Sequence, residues 1–256
     1  MSAAPREHRL WVFLRSSLIL IAITLIGCGH SPSTVDEVIE RNTQAMGGRA
    51  TLESIHSIEF NLHIHDPGFE VDGIYRAARP GRMRIDVAAE GKHVFTEAFD
   101  GQRGWQWSGK GDPVAASPKA TAALRHGVEL PGKLFGLHEL RQRGHRIDLT
   151  GREKVDGIDY FVLRLTLSDG YETSLYVDPK TWLITRRRDV RPLHVDIDPT
   201  PTTIETRFSD LRKIGGVVFP FSSTDTDLKT GKILEQTSVR EIKLNPDFDQ
   251  TIFDKL

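Results

Sequence analysis

The chain has 256 residues, of which 38% are hydrophobic and 27% are charged, and its formal net charge is -1 at pH 7. This mixture is typical of a globular protein, whereas a disordered chain has fewer apolar residues or a larger net charge. The near-neutral balance also lacks the basic excess that a nucleic-acid-binding domain uses to neutralise phosphates.

Residues 1–27 predict a secretory signal peptide. Arg6, Arg9 and Arg15 precede an apolar run at 18–26, which a glycine ends. A basic head, a short apolar segment and a small exit residue are the parts of such a signal. The run is shorter than the roughly 20 residues that a membrane-spanning helix needs, and no later segment is long and charge-free enough to span a bilayer.

The end of this run, Leu25-Ile26-Gly27-Cys28, resembles the lipobox of bacterial lipoproteins. The resemblance implies that the chain is cut before Cys28, that Cys28 is acylated, and that residues 28–33 tether the domain to membrane lipid. Because Gly29 and not Asp follows the cysteine, it also implies the periplasmic face of an outer membrane, or the plasma membrane in a Gram-positive cell. The alternative is an ordinary cleavage site beside a chance cysteine. Cys28 is the single cysteine, so lipidation leaves no free thiol.

The remaining chain, 34–256, is predicted to be one domain that is mainly β with a few helices. Thr34 and Glu37 have the spacing of a capping box at a helix start. The clearest strand has apolar residues at every second position, namely Ile58, Phe60, Leu62 and Ile64. Turn residues separate about eleven strands, and 119–125 and 133–141 indicate short helices. The pattern predicts one curved antiparallel sheet, and an unclosed sheet of this size needs a cover.

Several segments resemble the family of the lipoprotein carrier LolA and the receptor LolB. Residues 73–84 (GIYRAARPGRMR) look like the family's strand, Arg-Pro turn and strand, and 99–105 (FDGQRGW) look like its Asp-Gly turn before an aromatic residue. Residues 177–179, 215–220 and 245–248 are similar to the same family. The resemblance implies an unclosed, curved antiparallel β-barrel under a helical lid, with an apolar cavity for acyl chains.

The resemblance also implies a role for Arg79. In the carrier, the arginine of the Arg-Pro turn hydrogen-bonds to the lid and sets how readily the cavity opens, and Arg79 occupies that place. A guanidinium has five donors in a rigid fork, which suits it to bind several carbonyls at helix ends. The alternative is that Arg79 is a solvated turn residue.

Five residues are the candidate lining of the groove: Phe60, Leu62, Tyr75, Trp105 and Trp107. Phe60 and Leu62 lie two apart on one strand, and the two tryptophans share a face of another strand. The same residues could instead form a packed core without a cavity. That difference decides the function.

Other motifs do not favour catalysis. The chain has no Gly-x-Ser-x-Gly elbow, phosphate loop, dinucleotide fingerprint or His-Glu-x-x-His motif. His63, His65 and Glu59 share a strand face that could bind zinc, although the solvated side of a strand explains them better. The three arginines at 186–188 form a weak candidate for contact with phospholipid headgroups, with alternation turning the middle one away.

We therefore expect a non-catalytic, lipid-anchored periplasmic lipoprotein that uses no metal or cofactor. It is expected to be a monomer that binds an acyl chain or a lipoprotein in its groove, in lipoprotein sorting or envelope lipid handling. Two alternatives stay open: an envelope scaffold with a filled core, and a metal-dependent hydrolase.

Overall fold

The structure is a computed structural model that describes residues 1, 34–193, 195 and 198–254. The predicted signal peptide, Cys28 and the tether 28–33 lie outside the described residues. From residue 34 onward, the described residues belong to one compact unit. None of the helices described is long and apolar enough to cross a membrane.

The described chain contains four α-helices and one 3₁₀ helix. They are α1 (Val35–Met46), α2 (Arg49–Glu53), α3 (Pro118–Glu129), α4 (Leu137–Leu140) and the 3₁₀ helix Gln250–Phe253. α1 begins where the capping box predicts. The Thr34 hydroxyl accepts a hydrogen bond from the Glu37 amide at 3.2 Å, and the Thr34 amide donates to the Glu37 carboxylate at 3.3 Å.

The two lid helices differ in length from the sequence prediction. α3 continues beyond 119–125 to Glu129 because Leu124 and Val128, one turn apart, are both buried. Burying them outweighs the roughly 1 kcal/mol that Gly127 costs inside a helix. The helix predicted at 133–141 is confined to the four residues of α4, and Gly136 lies at its N-terminal cap.

Thirteen strands of the described chain form one sheet. They are β1 (Ser57–Asp66), β2 (Phe69–Ala78), β3 (Arg82–Ala89), β4 (Lys92–Phe99), β5 (Gly104–Trp107), β6 (Val114–Ala115), β7 (Arg146–Val155), β8 (Ile158–Thr166), β9 (Glu172–Val177), β10 (Ile184–Arg191), β11 (Thr202–Ile214), β12 (Val217–Asp227) and β13 (Ile233–Leu244).

The strand order is β6-β5-β4-β3-β2-β1-β13-β12-β11-β10-β9-β8-β7, and each neighbouring pair is antiparallel. The terminal strands β6 and β7 do not pair with each other, so the sheet stays unclosed. The prediction of a mainly β fold with a curved, unclosed antiparallel sheet and few helices is confirmed. The count exceeds about eleven partly because the two-residue β6 is too short to show a period.

One face of the sheet, which we call the inner face, carries the α-helices. Gly104 of β5 shows the contact, because a Cβ placed there would lie 2.8 Å from the Thr121 side chain and 3.1 Å from that of Leu124 in α3. The main apolar core lies between the inner face and the helices. Its fully buried members include Val38, Ile58, Val128, Leu134, Leu137, Leu140, Leu163, Leu175 and Phe219.

α1, α2 and α4 adjoin the end of the sheet that holds the β2–β3 and β11–β12 turns, which we call the helix end. Gly47, which follows α1, packs against the turn between β11 and β12. A Cβ on Gly47 would lie 2.4 Å from the backbone oxygen of Gly216, and the φ of Gly47 is 131°. Both the space and the backbone conformation therefore require glycine at this position.

Candidate ligand groove and its latch

Arg79 lies between β2 and β3 at the helix end and reaches into the helical layer. Its Nε donates to the Ile55 carbonyl at 2.7 Å, and its Nη2 donates to the carbonyls of Leu134 at 3.1 Å and Leu52 at 3.4 Å. Nη1 and Nη2 also donate to the Glu139 carboxylate at 2.5 and 3.2 Å. One side chain thus connects the sheet to α2, to the segment before α4, and to α4 itself.

The Glu139 carboxylate completes this arrangement. It also accepts a hydrogen bond from the Gly136 amide at 3.0 Å, and its side chain is only 12% exposed, against 23% for Arg79. Burial alone would raise the pKa of Glu139, but the hydrogen bonds from Arg79 and Gly136 outweigh burial and lower it. The Glu139 carboxylate therefore stays ionised at neutral pH. We call Arg79, Glu139 and the three carbonyls the latch.

A buried histidine adjoins the latch. His138 Nδ1 lies 3.4 Å from the Thr43 hydroxyl, and Nε2 lies 3.5 Å from Glu53 and 3.9 Å from Glu139. Burial lowers the pKa of His138 further than the nearby carboxylates raise it. His138 is therefore held neutral beside the ion pair.

Three of the predicted lining residues lie on the inner face. The rings of Phe60 and Tyr75 are 6.0 Å apart, and those of Phe60 and Phe219 are 5.7 Å apart. Leu62 follows Phe60 on the same face of β1 and is only partly buried, as is Ile85 of β3. We call Phe60, Leu62, Tyr75 and Ile85 the apolar wall. Toward the helix end, this wall continues into the close-packed apolar core between the sheet and the α-helices.

Trp105 and Trp107 lie on the outer face, so the prediction that they line the groove is wrong. Cross-strand pairing links Trp105 in turn to Ala98, Arg84 and Arg76. Arg76 follows Tyr75 and points to the opposite side of the sheet. Trp105 is buried on that side by the 3₁₀ helix, and its Nε1 donates to the Phe253 carbonyl at 3.1 Å.

Charged side chains line another part of the inner face. Arg187, Asp189 and Arg191 alternate along β10, and Arg187 pairs across strands with Leu175 of the core. Nε of Arg187 and Nε of Arg191 lie 3.1 and 3.2 Å from the two Asp189 oxygens. Arg191 also pairs with Asp225 of β12 at 2.5 Å. We call Arg187, Asp189, Arg191 and Asp225 the charged wall.

Lys133 brings a further cation to the groove from the segment between α3 and α4. Its Nζ lies 4.3 Å from the centroid of the Tyr75 ring on the inner face. Lys133 is exposed to solvent, although many protein atoms lie around it. Burial and the Arg187 cation lower the pKa of Lys133 to about 8, partly offset by Glu235. Neither the charged wall nor Lys133 was among the site residues predicted from the sequence.

The histidines considered as zinc ligands contact carboxylates of the neighbouring strand. His63 Nδ1 lies 2.9 Å from Asp72, and His65 Nδ1 lies 2.9 Å from Glu70. Across the described ranges, no three or more His, Cys, Asp or Glu side chains are grouped to hold a metal ion.

The arginine run 186–188 is divided between the two faces, as alternation predicts. Arg186 and Arg188 lie on the outer face, where each donates to the Glu205 carboxylate at 2.7 Å. Arg186 is 5% exposed. Contact of these two arginines with phospholipid headgroups is therefore not favoured.

Two clefts are present beside the helices. One, of about 150 Å³, lies where α3 meets the β4–β5 turn, and the other, of about 180 Å³, lies beside α1 and α4. Ligand pockets for small molecules have volumes of roughly 300–1,000 Å³. Neither cleft holds a long acyl chain without movement of the helices.

Comparison with known proteins gives matches in structure alone. Neither a family model nor a curated protein sequence matches the chain. The fold is similar to that of a LolA superfamily protein from Nitrosomonas europaea, with a TM-score of 0.56 and 15% identity over 88% of this chain and 99% of the other. It is also similar to a DUF1329 family protein from Desulfovibrio piger, with a TM-score of 0.56 and 14% identity over 87% of this chain and 98% of the other.

These identities are low, and the likeness is one of fold. It extends over nearly the whole length of both solved chains, so it includes the sheet and the helices that cover it. The structural resemblance expected from the Arg-Pro and Asp-Gly segments is thereby confirmed. This chain has the fold of LolA superfamily proteins.

Proposed function

We propose that this protein is a membrane-anchored acyl-binding lipoprotein whose groove opens when the Arg79 latch releases the helices. The observation that carries the proposal is the set of bonds from Arg79. They connect one turn of the sheet to α2, to the segment before α4 and to Glu139. The solved structures of similar fold, one of them a LolA superfamily protein, support the proposal.

The apolar wall supplies the surface for the acyl chain. Phe60 and Tyr75 are nearly fully buried, whereas Leu62 and Ile85 are only partly buried. A chain laid along this wall gains roughly 0.8 kcal/mol per buried CH₂ group. Because the helix end is filled, a long chain requires the helices to move, and the latch opposes that movement.

We further propose that Cys28 carries the membrane anchor and that the domain acts as a monomer at the periplasmic face of the outer membrane. Two or three acyl chains hold a protein on a bilayer, whereas one chain binds only marginally. Metabolic labelling with a palmitate analogue should mark the wild type and not the Cys28→Ser variant. An equally labelled variant would place the lipid elsewhere.

Acyl binding can be tested on protein purified from a lipid-producing host. Native mass spectrometry should show an added mass of one lipid, and a delipidated sample should bind a fluorescent fatty acid. Arg79→Leu should change the rates of uptake and release, whereas Arg103→Leu, at an 86% exposed side chain, should not. If the protein is purified without lipid and also binds no fatty acid, the proposal is refuted.

A second candidate, an envelope scaffold without a ligand, is favoured by one observation. The helix end is filled by packed side chains, including Leu134, Leu137 and Leu140. A scaffold keeps this packing permanently, so hydrogen exchange of α4 would be as slow as that of β8. Fast exchange of α4 alone supports the acyl-binding protein instead.

A further inference from the structure

We propose that the groove has a head-group site at Lys133, Tyr75 and Arg187, which selects acyl ligands that end in a carboxylate or phosphate. The inference rests on the acyl-binding function proposed above and specifies its ligand class.

Lys133 is the central group of this head-group site. Its ammonium lies over the Tyr75 ring at 4.3 Å, and among the described residues it forms no ion pair within 4 Å. Lys133 is exposed to solvent, but many protein atoms lie around it, and the Arg187 cation is close enough to lower its pKa. An anion supplied by a ligand would stabilise this charge.

Tyr75 offers a second donor at the same place. The residue is 4% exposed, and its hydroxyl has no hydrogen-bond partner. Buried hydroxyls are nearly always paired, so an unpaired one calls for a specific explanation. An acceptor on a ligand held by Lys133 provides that partner once the flexible lysine side chain shifts.

The charged wall holds Arg187 in place for this role. Asp189 binds Arg187 and Arg191 on its two oxygens, and it also accepts a hydrogen bond from the Tyr171 hydroxyl at 2.8 Å. The Arg187 Nη2 donates to the Thr206 hydroxyl at 3.2 Å. The guanidinium is therefore fixed before any ligand arrives, which reduces the entropic cost of binding an anion.

The arrangement matches an amphiphile. The apolar wall and the head-group site share Tyr75, so one molecule can place its chain on Phe60 and Leu62 and its charged end on Lys133. The ester and amide groups of a lipoprotein's acyl chains carry no charge, so they leave the Lys133 ammonium unpaired. The site therefore favours a fatty acid or an acyl phosphate over a neutral acyl chain.

The test compares ligands with the same chain and different ends. The ligands are dodecanoate, dodecyl phosphate and dodecanol, and each is measured by how well it displaces the neutral probe N-phenyl-1-naphthylamine. The proteins are the wild type, Lys133→Met and the control Lys180→Met, whose lysine is exposed in the β9–β10 turn. We expect wild type and Lys180→Met to bind the two anions at least tenfold more tightly than dodecanol. Lys133→Met should lose this preference and keep its affinity for dodecanol.

Each outcome separates the two proposals. If no ligand displaces the probe, both proposals fail. Equal binding of anions and dodecanol by the wild type, or an unchanged preference in Lys133→Met, overturns the head-group site and leaves acyl binding in place. Binding of inorganic phosphate as tightly as dodecyl phosphate would show a site for free phosphate, which also overturns the ligand class.

Tyr75→Phe provides a second variant that keeps the ring under Lys133. If the hydroxyl donates to the ligand, the preference for dodecanoate should fall several-fold. If its role is only structural, removing an unpaired buried hydroxyl should raise stability and leave the preference unchanged. Equal unfolding midpoints of Lys133→Met and wild type would show that the lysine variant is folded.

Discussion

Replacement of Arg79 by leucine removes all five latch bonds and keeps an apolar stem. Three of the bonds go to carbonyls and two to Glu139. Each bond from the guanidinium to a carbonyl contributes about 1 kcal/mol, and the bond to Leu52 contributes less because it is 3.4 Å long. The ion pair is partly exposed, so its loss costs about 1–2 kcal/mol and not the roughly 3–5 kcal/mol of a fully buried pair. We expect the free energy of unfolding to fall by about 3–5 kcal/mol.

Urea unfolding measures this loss, and hydrogen exchange locates it. Exchange in α2, in the segment 130–136 and in α4 should become faster than the global loss of stability alone requires. Exchange in β8, which lies far along the sheet from Arg79, should change only by that global loss. Arg103→Leu is the matched control, because its 3.4 Å contact with Asp100 is exposed and contributes at most about 0.5 kcal/mol. If Arg79→Leu behaves like Arg103→Leu in both measurements, Arg79 is a solvated turn residue and the latch is refuted.

Further outcomes follow from other parts of the chain. Gly47→Ala should cost about 2 kcal/mol or more in urea unfolding, because the new Cβ would lie 2.4 Å from a backbone oxygen. Trp107→Ala should leave acyl affinity within twofold in probe displacement, because Trp107 lies on the outer face. Burial lowers the pKa of both His138 and His145, so unfolded chains take up protons first and stability should fall as pH drops below about 6.5. Lys133, with its pKa of about 8, should react with acetic anhydride at pH 8 well before ordinary lysines, of which roughly 0.4% are neutral there.

Each outcome has its own control. Gly91 has a positive φ like Gly47, but a Cβ placed on it would meet nothing within 4 Å. An equal loss of stability in Gly91→Ala and Gly47→Ala would therefore show that the close contact at Gly47 is not the cause. Phe60→Ala should weaken acyl binding, whereas Trp107→Ala should not. The reverse result would show that Trp107 lines the groove. A flat stability profile between pH 8 and 5.5 would contradict the histidine argument, since the carboxylates titrate lower. Peptide mass spectrometry that finds Lys180 labelled as fast as Lys133 would contradict the low pKa.

Local structure was predictable from the sequence where the residues that determine it lie within a single helix or strand. The Thr34 capping box defines the start of α1, and the alternation of Ile58 to Ile64 defines β1, because both patterns depend on neighbouring residues. The end of α3 was not predictable in this way. Gly127 is an unfavourable helix residue, and only the burial of Leu124 and Val128 against the sheet extends the helix past it.

The face of a strand is a property of the whole sheet. Trp105 and Trp107 lie two apart on β5 and therefore share a face, but alternation does not show which face of the sheet this is. Their side is decided by the register through β4, β3 and β2, and by the 3₁₀ helix that covers Trp105 on the outer face. The resemblance matched only an aromatic residue after the Asp-Gly turn, and it carried no information on this register.

The charged wall was not predicted from the sequence, for a related reason. Arg187, Asp189 and Arg191 lie two apart, as on any solvated strand face, and the sequence gives no sign that this face turns inward. Only the pairing of Arg187 with the core residue Leu175 shows it. The partner Asp225 comes from another strand, far along the chain. Contacts of this kind depend on tertiary structure and have no local pattern.

The segment between α3 and α4 links the two proposals. The carbonyl of Leu134 accepts a hydrogen bond from Arg79, and Lys133 directly precedes Leu134. An anion that binds Lys133 therefore acts on the same stretch of backbone that the latch holds. Coupling between two contacts is reciprocal, so any effect of the latch on anion affinity equals the effect of the anion on the latch. A ligand with a charged end thus has a route to open or close the lid that a neutral chain on the apolar wall lacks.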